Sequence, residues 1–407
     1  IGAGKAGAPM AQALEELLKE YPVSGLVAVK YGHTAPTNTI DLIEAGHPLP
    51  DENSRRAADE VAELLGRADS DTLVFNLISG GGSALLSRPV SEIPSADLQD
   101  MNTVLLDCGA EIHEINTLRK HVSGIKGGRL AEMAYPCRLI NIILSDVIGD
   151  DLEVIASGPA VPDPSTFTNV QNIVDTYQIR KKLPQSIINY FDKGLHDPSL
   201  ETPKADNPCF QRVQTVLLGN NRSALEAAAA YTENERRGVD EPEGRGGSAD
   251  NRKPEKEGLR TIILTSRMSG EAREIAKLFS AIALDPPGKN LLVLAGGETT
   301  VRMRGKGKGG RNQELALSYL DTILRSGLLP AACFLAAGSD GNDGPTDAAG
   351  AVICSTDISR LAASGPSPAA WLADNNSYEY LSENGIIYKP GPTNTNVCDF
   401  CFLYIHP

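Results

Sequence analysis

Positive charge is the scarcer sign in this chain. In 407 residues, 38 lysines and arginines face 52 aspartates and glutamates, for a net charge of −14. That balance excludes generic binding to nucleic acid or to an anionic membrane surface and leaves only a local basic site as a seat for polyanions. Long apolar runs are missing as well: nothing approaches the roughly 20 residues a membrane-spanning helix needs, and no charged-then-apolar leader opens the chain. The expectation is a cytoplasmic protein. The mitochondrial matrix stays open, because the chain starts at Ile1 without a methionine, directly before a glycine turn, as though a first strand and whatever precedes it were cut away. Cysteine is sparse, with seven residues in apolar or loop contexts, which points to reduced thiols. Cys398 and Cys401 form a C-x-x-C without a second pair, a weak basis for zinc or redox chemistry. No G-x-x-x-x-G-K-[ST] occurs, which excludes a Walker loop, and the lack of H-R-D and D-F-G triplets excludes protein-kinase chemistry.

What is present is an ordinary globular composition, 41% hydrophobic and 22% charged, in a chain long enough for two domains. The expected fold class is α/β: two α/β domains, the first a Rossmann-like, mostly parallel sheet, with an interdomain cleft. The first domain is placed at 1–210. The second is placed at 211–407, because Val213 to Gly219 reads as a new strand. Residues Arg236 to Glu257, charged and nearly devoid of apolar side chains, read as a disordered insertion.

Gly2, Gly4 and Gly7 match G-x-G-x-x-G, the dinucleotide fingerprint. The strand Leu26 to Lys30, however, ends in lysine where an NAD site wants an acid. Lys5 stands inside that first turn, within reach of a phosphate or carboxylate; the alternative is a solvated turn lysine. A strand over Thr72 to Ser79 runs into Gly80, Gly81, Gly82 and Ser83, a second candidate anion cradle of backbone N–H groups and a hydroxyl. The segment from Asn116 to Arg129 clusters cations among glycines, Lys126 included. The strand Leu139 to Leu144 ends at Asp146, a candidate base or metal ligand at the carboxyl edge of a sheet, where open α/β sheets bind ligands.

The densest signal is Leu291 to Leu317. An apolar strand breaks at Gly296, Gly297 and Glu298 and alternates through Thr300, Arg302 and Arg304. It then dissolves into glycines carrying Lys306, Lys308 and Arg311, and a helix capped by Asn312 follows. Five cations within ten residues of an acidic chain make a seat for a polyanion, against the alternative of an exposed basic hairpin. Beyond it, Asp340, Asp343 and Asp347 share a glycine-rich loop suited to a hard cation or to sugar-like hydroxyls, though without EF-hand spacing. Cations and carboxylates in strand-end loops are the mixture that phosphoryl transfer needs.

These stretches resemble the glycerate 2-kinases, whose C-terminal portion is the MOFRL domain, here about 290–405. The matching segments are GAGKAG at Gly2, EAGHPLPD at Glu44, SGGGSALL at Ser79, NTLRKHVSGIKGGRLA at Asn116, LSDVIGDD at Leu144, ASGPAVPDPSTF at Ala156, GGETTVRMRGKGKGGRNQELAL at Gly296, GSDGNDGPTDAAGA at Gly338 and GPTNTN at Gly391. The resemblance implies ATP- and Mg²⁺-dependent phosphorylation of D-glycerate to 2-phosphoglycerate, with glycerate and ATP as partners and a homodimer left open. The family's essential lysine falls on Lys5 and its essential arginine on Arg311. Asp146 joins them as a catalytic candidate, and Gly80, Gly81, Gly82, Ser83, Lys126, Glu298 and Arg304 are candidates for substrate or phosphate binding. Asp340, Asp343 and Asp347 are the candidate metal ligands. Hydroxypyruvate reductase and a non-catalytic metabolite-binding protein are the competing functions.

Overall fold

The structure, a computed structural model, describes residues 1–237 and 258–407. Most of the sequence-expected insertion therefore lies outside the described residues, and its first two positions, Arg236 and Arg237, end the helix Asn221–Arg237. Two compact units divide the chain, Ile1–Leu218 and Gly219–Pro407.

The first unit is built on a six-stranded sheet. Its strands are β1 (Gly2–Ala3), β2 (Gly25–Lys30), β3 (Ile40–Ala45), β4 (Leu73–Ile78), β5 (Arg138–Leu144) and β6 (Val213–Gly219), in the order β3-β2-β1-β4-β5-β6. The pairings from β3 through β5 are parallel. Helices cover both faces, which explains why the middle strands are apolar runs rather than alternating ones. Two buried clusters record those faces: one gathers Ala3, Leu26, Ala57, Val61 and Leu139, the other Ala8, Val27, Val29 and Leu77. The order reverses between β1 and β4, and in open α/β sheets the crevice at such a reversal, past the carboxyl ends of the strands, is where ligands bind. The sequence places the boundary near 210, ahead of β6. Instead β6 closes the edge of the first sheet, and its Val216, Leu217 and Leu218 stay exposed, as an outermost strand allows.

The second unit carries another six-stranded sheet: β7 (Arg260–Glu271), β8 (Leu291–Thr300), β9 (Ala332–Gly338), β10 (Gly350–Cys354), β11 (Ile387–Tyr388) and β12 (Asp399–Ile405), ordered β11-β10-β9-β12-β8-β7. Only β7 and β8 pair in parallel. β12 inserts antiparallel between β8 and β9, and β10 and β11 continue antiparallel. The helix Arg311–Ser326 lies in the core of this unit, with Leu315, Leu317, Tyr319, Leu320 and Ile323 fully buried beside Phe334 and Leu403. Cys333 and Cys354, directly paired across β9 and β10, are joined by a disulfide, where the sequence points to reduced thiols. Cys398 and Cys401 are both buried and unbonded to each other.

Candidate functional site

At the reversal in the first sheet two glycine turns are pinned to each other. The Lys5 N–H donates to the Gly80 carbonyl at 2.9 Å, Ser79 N–H donates to the Ala3 carbonyl, and Ala6 N–H donates to Ser79 Oγ at 3.0 Å. Glycine is required here by contact. A Cβ on Gly4 would sit 2.0 Å from Ser79 Oγ, and one on Gly2 would sit 2.2 Å from the Leu77 carbonyl oxygen. The fingerprint glycines thus serve the approach of β1 to β4, and the one that a dinucleotide site leaves open to pyrophosphate is filled by Ser79. Lys5, half-buried, stands in this turn at the start of the helix Gly7–Leu17. Asp146 lies just past the carboxyl end of β5, the next strand along.

The second turn departs from a simple cradle. Gly82 N–H donates back to the Ser79 carbonyl and Ala84 N–H to that of Gly81, so these amides are spent inside the turn. Gly81 adopts φ +85°, with the His47 ring against its α-carbon, a conformation and a closeness that a side chain would spoil. What the turn presents is Ser83. Its hydroxyl shares a hydrogen bond with Ser157 Oγ at 2.9 Å and accepts one from Lys126 Nζ at 2.9 Å, and that ammonium also donates to the Ser83 carbonyl. Ser157 in turn donates to Asn116 Oδ1 at 3.1 Å. Ala156, Ser157 and Gly158 are consecutively left-handed, at φ 50°, 60° and 61°. Backbone of that kind persists only where its surroundings over-determine it.

Lys126 and Arg119 both line a cavity of about 180 Å³, with Ser83, Ala84, Leu98 and Asn102 among its other walls. Burial, aided by the charge of Arg119, pulls the Lys126 ammonium down to about 7. Burial also lowers Arg119, whose Nε donates to Asn102 Oδ1 at 2.8 Å. Lys120, beside Arg119 in the chain, is matched instead: it pairs with Asp163 at 3.3 Å and with Glu153 at 3.6 Å.

In the second unit Arg311 is matched closely. Its Nε and Nη2 donate to the two oxygens of Asp399, at 2.6 and 3.0 Å, and Nη1 donates to Glu298 at 2.5 Å. Burial works against this charge, but the Asp399 bonds and the nearby carboxylates outweigh it and push the guanidinium above its ordinary range. Asp399 is buried at the start of β12 and has no motif that singles it out in the sequence.

The helix that Arg311 opens is not capped by Asn312. Gly310 takes the cap position, and the capping acceptor comes from a distant loop: Asp343 Oδ2 accepts from Gln313 N–H at 2.8 Å. Gly310 is obligatory, since a Cβ there would lie 2.2 Å from the Asp343 carboxyl carbon. Asp343 is 3% exposed. Burial first, then the charge of Asp399, raises its carboxyl to about 7, against the pull of the Gln313 amide.

The structure sets the three aspartates of the expected metal set apart. Asp343 lies under the helix start, while Asp347 is held on the surface by Tyr378 Oη at 2.7 Å and Lys389 Nζ at 3.0 Å. Asp340 instead turns its own loop, accepting from Asn342 N–H. Among the described residues no group of three His, Cys, Asp or Glu side chains is placed to hold a metal.

The expected basic hairpin is a strap. β8 ends at Thr300, and residues 301–310 run without strand pairing along the segment 374–378. Asn375 Oδ1 accepts from the backbone of Arg304 and Gly305, Asp374 from Lys306, and Asn376 from Lys308. Added Cβ atoms on Gly305, Gly307 and Gly309 would meet Asp374, Asn376 and Ser377 at 2.2 to 2.4 Å. The alternation of glycine and lysine therefore has a geometric cause: each glycine faces the 374–378 wall, while Arg304, Lys306 and Lys308 are exposed, the Lys308 ammonium lying 4.4 Å over the Tyr378 ring. Asn375 also donates to buried Glu314, which Arg273 bonds at 2.6 Å, tying the strap to the long helix.

A parallel sheet whose turns meet at a reversal in strand order, with Lys126 and Arg119 lining a cavity beside Ser83, and a glycine strap of cations on a second α/β unit, fit a protein that handles small anions. The chain belongs to the glycerate 2-kinase family. Residues 1–192 match the domain of unknown function DUF4147, and residues 291–399 match the MOFRL family. A glycerate 2-kinase of Pyrococcus horikoshii is 39% identical over 98% of this chain and 84% of its own length. A D-glycerate 2-kinase of Thermotoga maritima is 36% identical over 98% and 88%. Among solved structures, a Thermotoga maritima glycerate kinase superposes with a TM-score of 0.83 over 99% of this chain and 90% of its own, at 36% identity.

Proposed function

We propose that this protein transfers the γ-phosphate of ATP to the 2-hydroxyl of D-glycerate, giving 2-phosphoglycerate and ADP. What carries the reading is its full-length likeness to glycerate 2-kinases, with Lys5 set in the turn at the strand-order reversal. In the reaction the hydroxyl oxygen bonds to the γ-phosphorus, the bond from that phosphorus to the bridging oxygen breaks, and ADP leaves. The hydroxyl proton goes to a carboxylate, a role we assign to Asp146. Lys5 stabilises the charge on the transferring group, and in the second unit Arg311 and the exposed cations of the strap are assigned to the nucleotide phosphates. Mg²⁺ enters as part of the nucleotide substrate, since a magnesium ion carried on phosphates needs few protein ligands.

Reductase chemistry is disfavoured at two positions. Lys30 ends β2, where the ribose hydroxyls of a dinucleotide want an acid, and Ser79 fills the space at Gly4. A coupled assay with ATP, Mg²⁺ and D-glycerate, read out separately for 2- and 3-phosphoglycerate, is expected to show the 2-isomer. ADP release no faster with glycerate than without it would sink the proposal.

A further inference from the structure

The cavity beside Ser83 is lined by a buried lysine, Lys126, and a half-buried arginine, Arg119, and no carboxylate lines it to match them. Lys126 is 6% exposed and donates only to oxygens of Ser83, while Arg119 bonds a neutral amide, Asn102. Among the described residues neither forms an ion pair. This is costly, because two like charges removed from water raise each other's energy unless an anion joins them. The contrast with Lys120, one residue from Arg119 and matched by Asp163 and Glu153, shows that the local chain can supply carboxylates and does so elsewhere.

The lining of the cavity suits a small organic anion. About 180 Å³ is room enough for a three-carbon acid. Leu98 and Ala84 offer apolar wall to a short carbon chain, Ser83 a hydroxyl, and the Arg119 guanidinium a planar fork suited to two oxygens.

We infer that Arg119 and Lys126 bind the carboxylate of the three-carbon acid substrate, a specificity role separate from Lys5 and Arg311. The inference rests on the glycerate reading for the identity of the acid, while the anion site itself rests on the cavity. Burial of Lys126 favours its neutral form in the empty protein, and an entering carboxylate stabilises the charged one, so binding is expected to take up a proton near neutral pH.

The test is calorimetry on the full chain without ATP, using D-glycerate, its uncharged amide D-glyceramide, and inorganic phosphate. The wild type is expected to bind glycerate at least about 10-fold more tightly than the amide, the scale of one charge-assisted hydrogen bond. Arg119→Gln and Lys126→Met are each expected to weaken glycerate by at least about 10-fold and to erase most of the preference over the amide. Arg119→Lys, which keeps the charge without the fork, serves where a variant melts early, and it is expected to fall between. In turnover the same variants are expected to raise the KM for glycerate and leave the KM for ATP within about 2-fold.

Glycerate binding unchanged in both variants, an amide bound as well as the acid, or no glycerate binding by the wild type would each overturn the assignment. So would loss of phosphate binding alone, or a rise in the ATP KM instead, because either gives the site to a phosphate. Glycerate binding with this pattern but no turnover would leave the assignment standing and remove the kinase reading.

Discussion

Arg119 and Arg311 carry the same group in opposite surroundings. Arg119 is lowered by burial and meets one neutral amide; Arg311 is raised by two carboxylates, one of them, Asp399, 1% exposed. The difference separates two uses of a half-buried cation. An unmatched cation is prepared to receive charge from a ligand. A matched one is held in a fixed orientation, and a ligand must share it with its protein partners. Position in a motif does not distinguish the two uses; the number of carboxylates within reach does.

The largest effect expected from breaking this contrast is at Arg311. Arg311→Ala leaves Asp399 buried without a partner and is expected to cost about 3–5 kcal/mol of stability, together with a loss of turnover of at least about 10²-fold. Lys5→Ala is expected to lower turnover on the same scale and to leave the melting temperature within a few degrees. Thermal melts beside steady-state rates separate the two, and equal stability losses would show that Arg311 is no more a structural anchor than Lys5.

Next in size is the pH response of Asp343. The folded protein keeps this proton up to about 7, whereas an unfolded aspartate releases it near 4. Between those values the unfolded chain binds fewer protons, so the contribution of Asp343 makes stability fall as pH rises from about 4 to about 7 and level off above. Asp343→Asn retains an oxygen for the Gln313 amide and removes the titration. The variant is expected to gain on the wild type between pH 5 and pH 8, by at most about 3 kcal/mol. Urea unfolding at the two pH values measures it, and a gap that narrows with rising pH would contradict the assignment.

The same contrast explains what was legible in the sequence. β2, β4 and β5 are largely apolar runs separated by helical segments, β4 leading into Gly80 and β5 into Asp146, and a parallel first sheet follows from them. The second sheet kept its elements but hid its order, because β12, last in the chain, inserts between β8 and β9, and local pattern carries no record of a pairing across such a distance. In the sites, Lys5 and Arg311 could be named from motifs, yet Asp399 and Asn375 could not. Their work is to face residues far away in sequence: Asp399 is 88 residues from Arg311, and Asn375 is 61 from Glu314. Three aspartates in one loop looked alike until the fold sent Asp343 beneath a helix and Asp347 to a surface tyrosine.

The smallest effects sharpen the comparison on the strap. Arg304, Lys306 and Lys308 are exposed, and Arg304 and Lys306 form no ion pair among the described residues. Charges of that kind are screened by water and salt, so Lys306→Ala is expected to raise the KM for ATP only about 2- to 5-fold at low salt, with the difference fading at high salt. Asn375→Ala removes no charge. It takes away the acceptor for two strap amides and a donor to buried Glu314, and Asn375 also occupies a left-handed position, at φ 54°, that alanine fills poorly. It is therefore expected to raise the ATP KM more than Lys306→Ala does, with little sensitivity to salt, because it displaces the whole row of cations rather than deleting one. Parallel KM measurements at two ionic strengths decide between placement and charge. If Lys306→Ala proved the more damaging, the strap would act through individual lysines, and its fixed seating along residues 374–378 would serve stability alone.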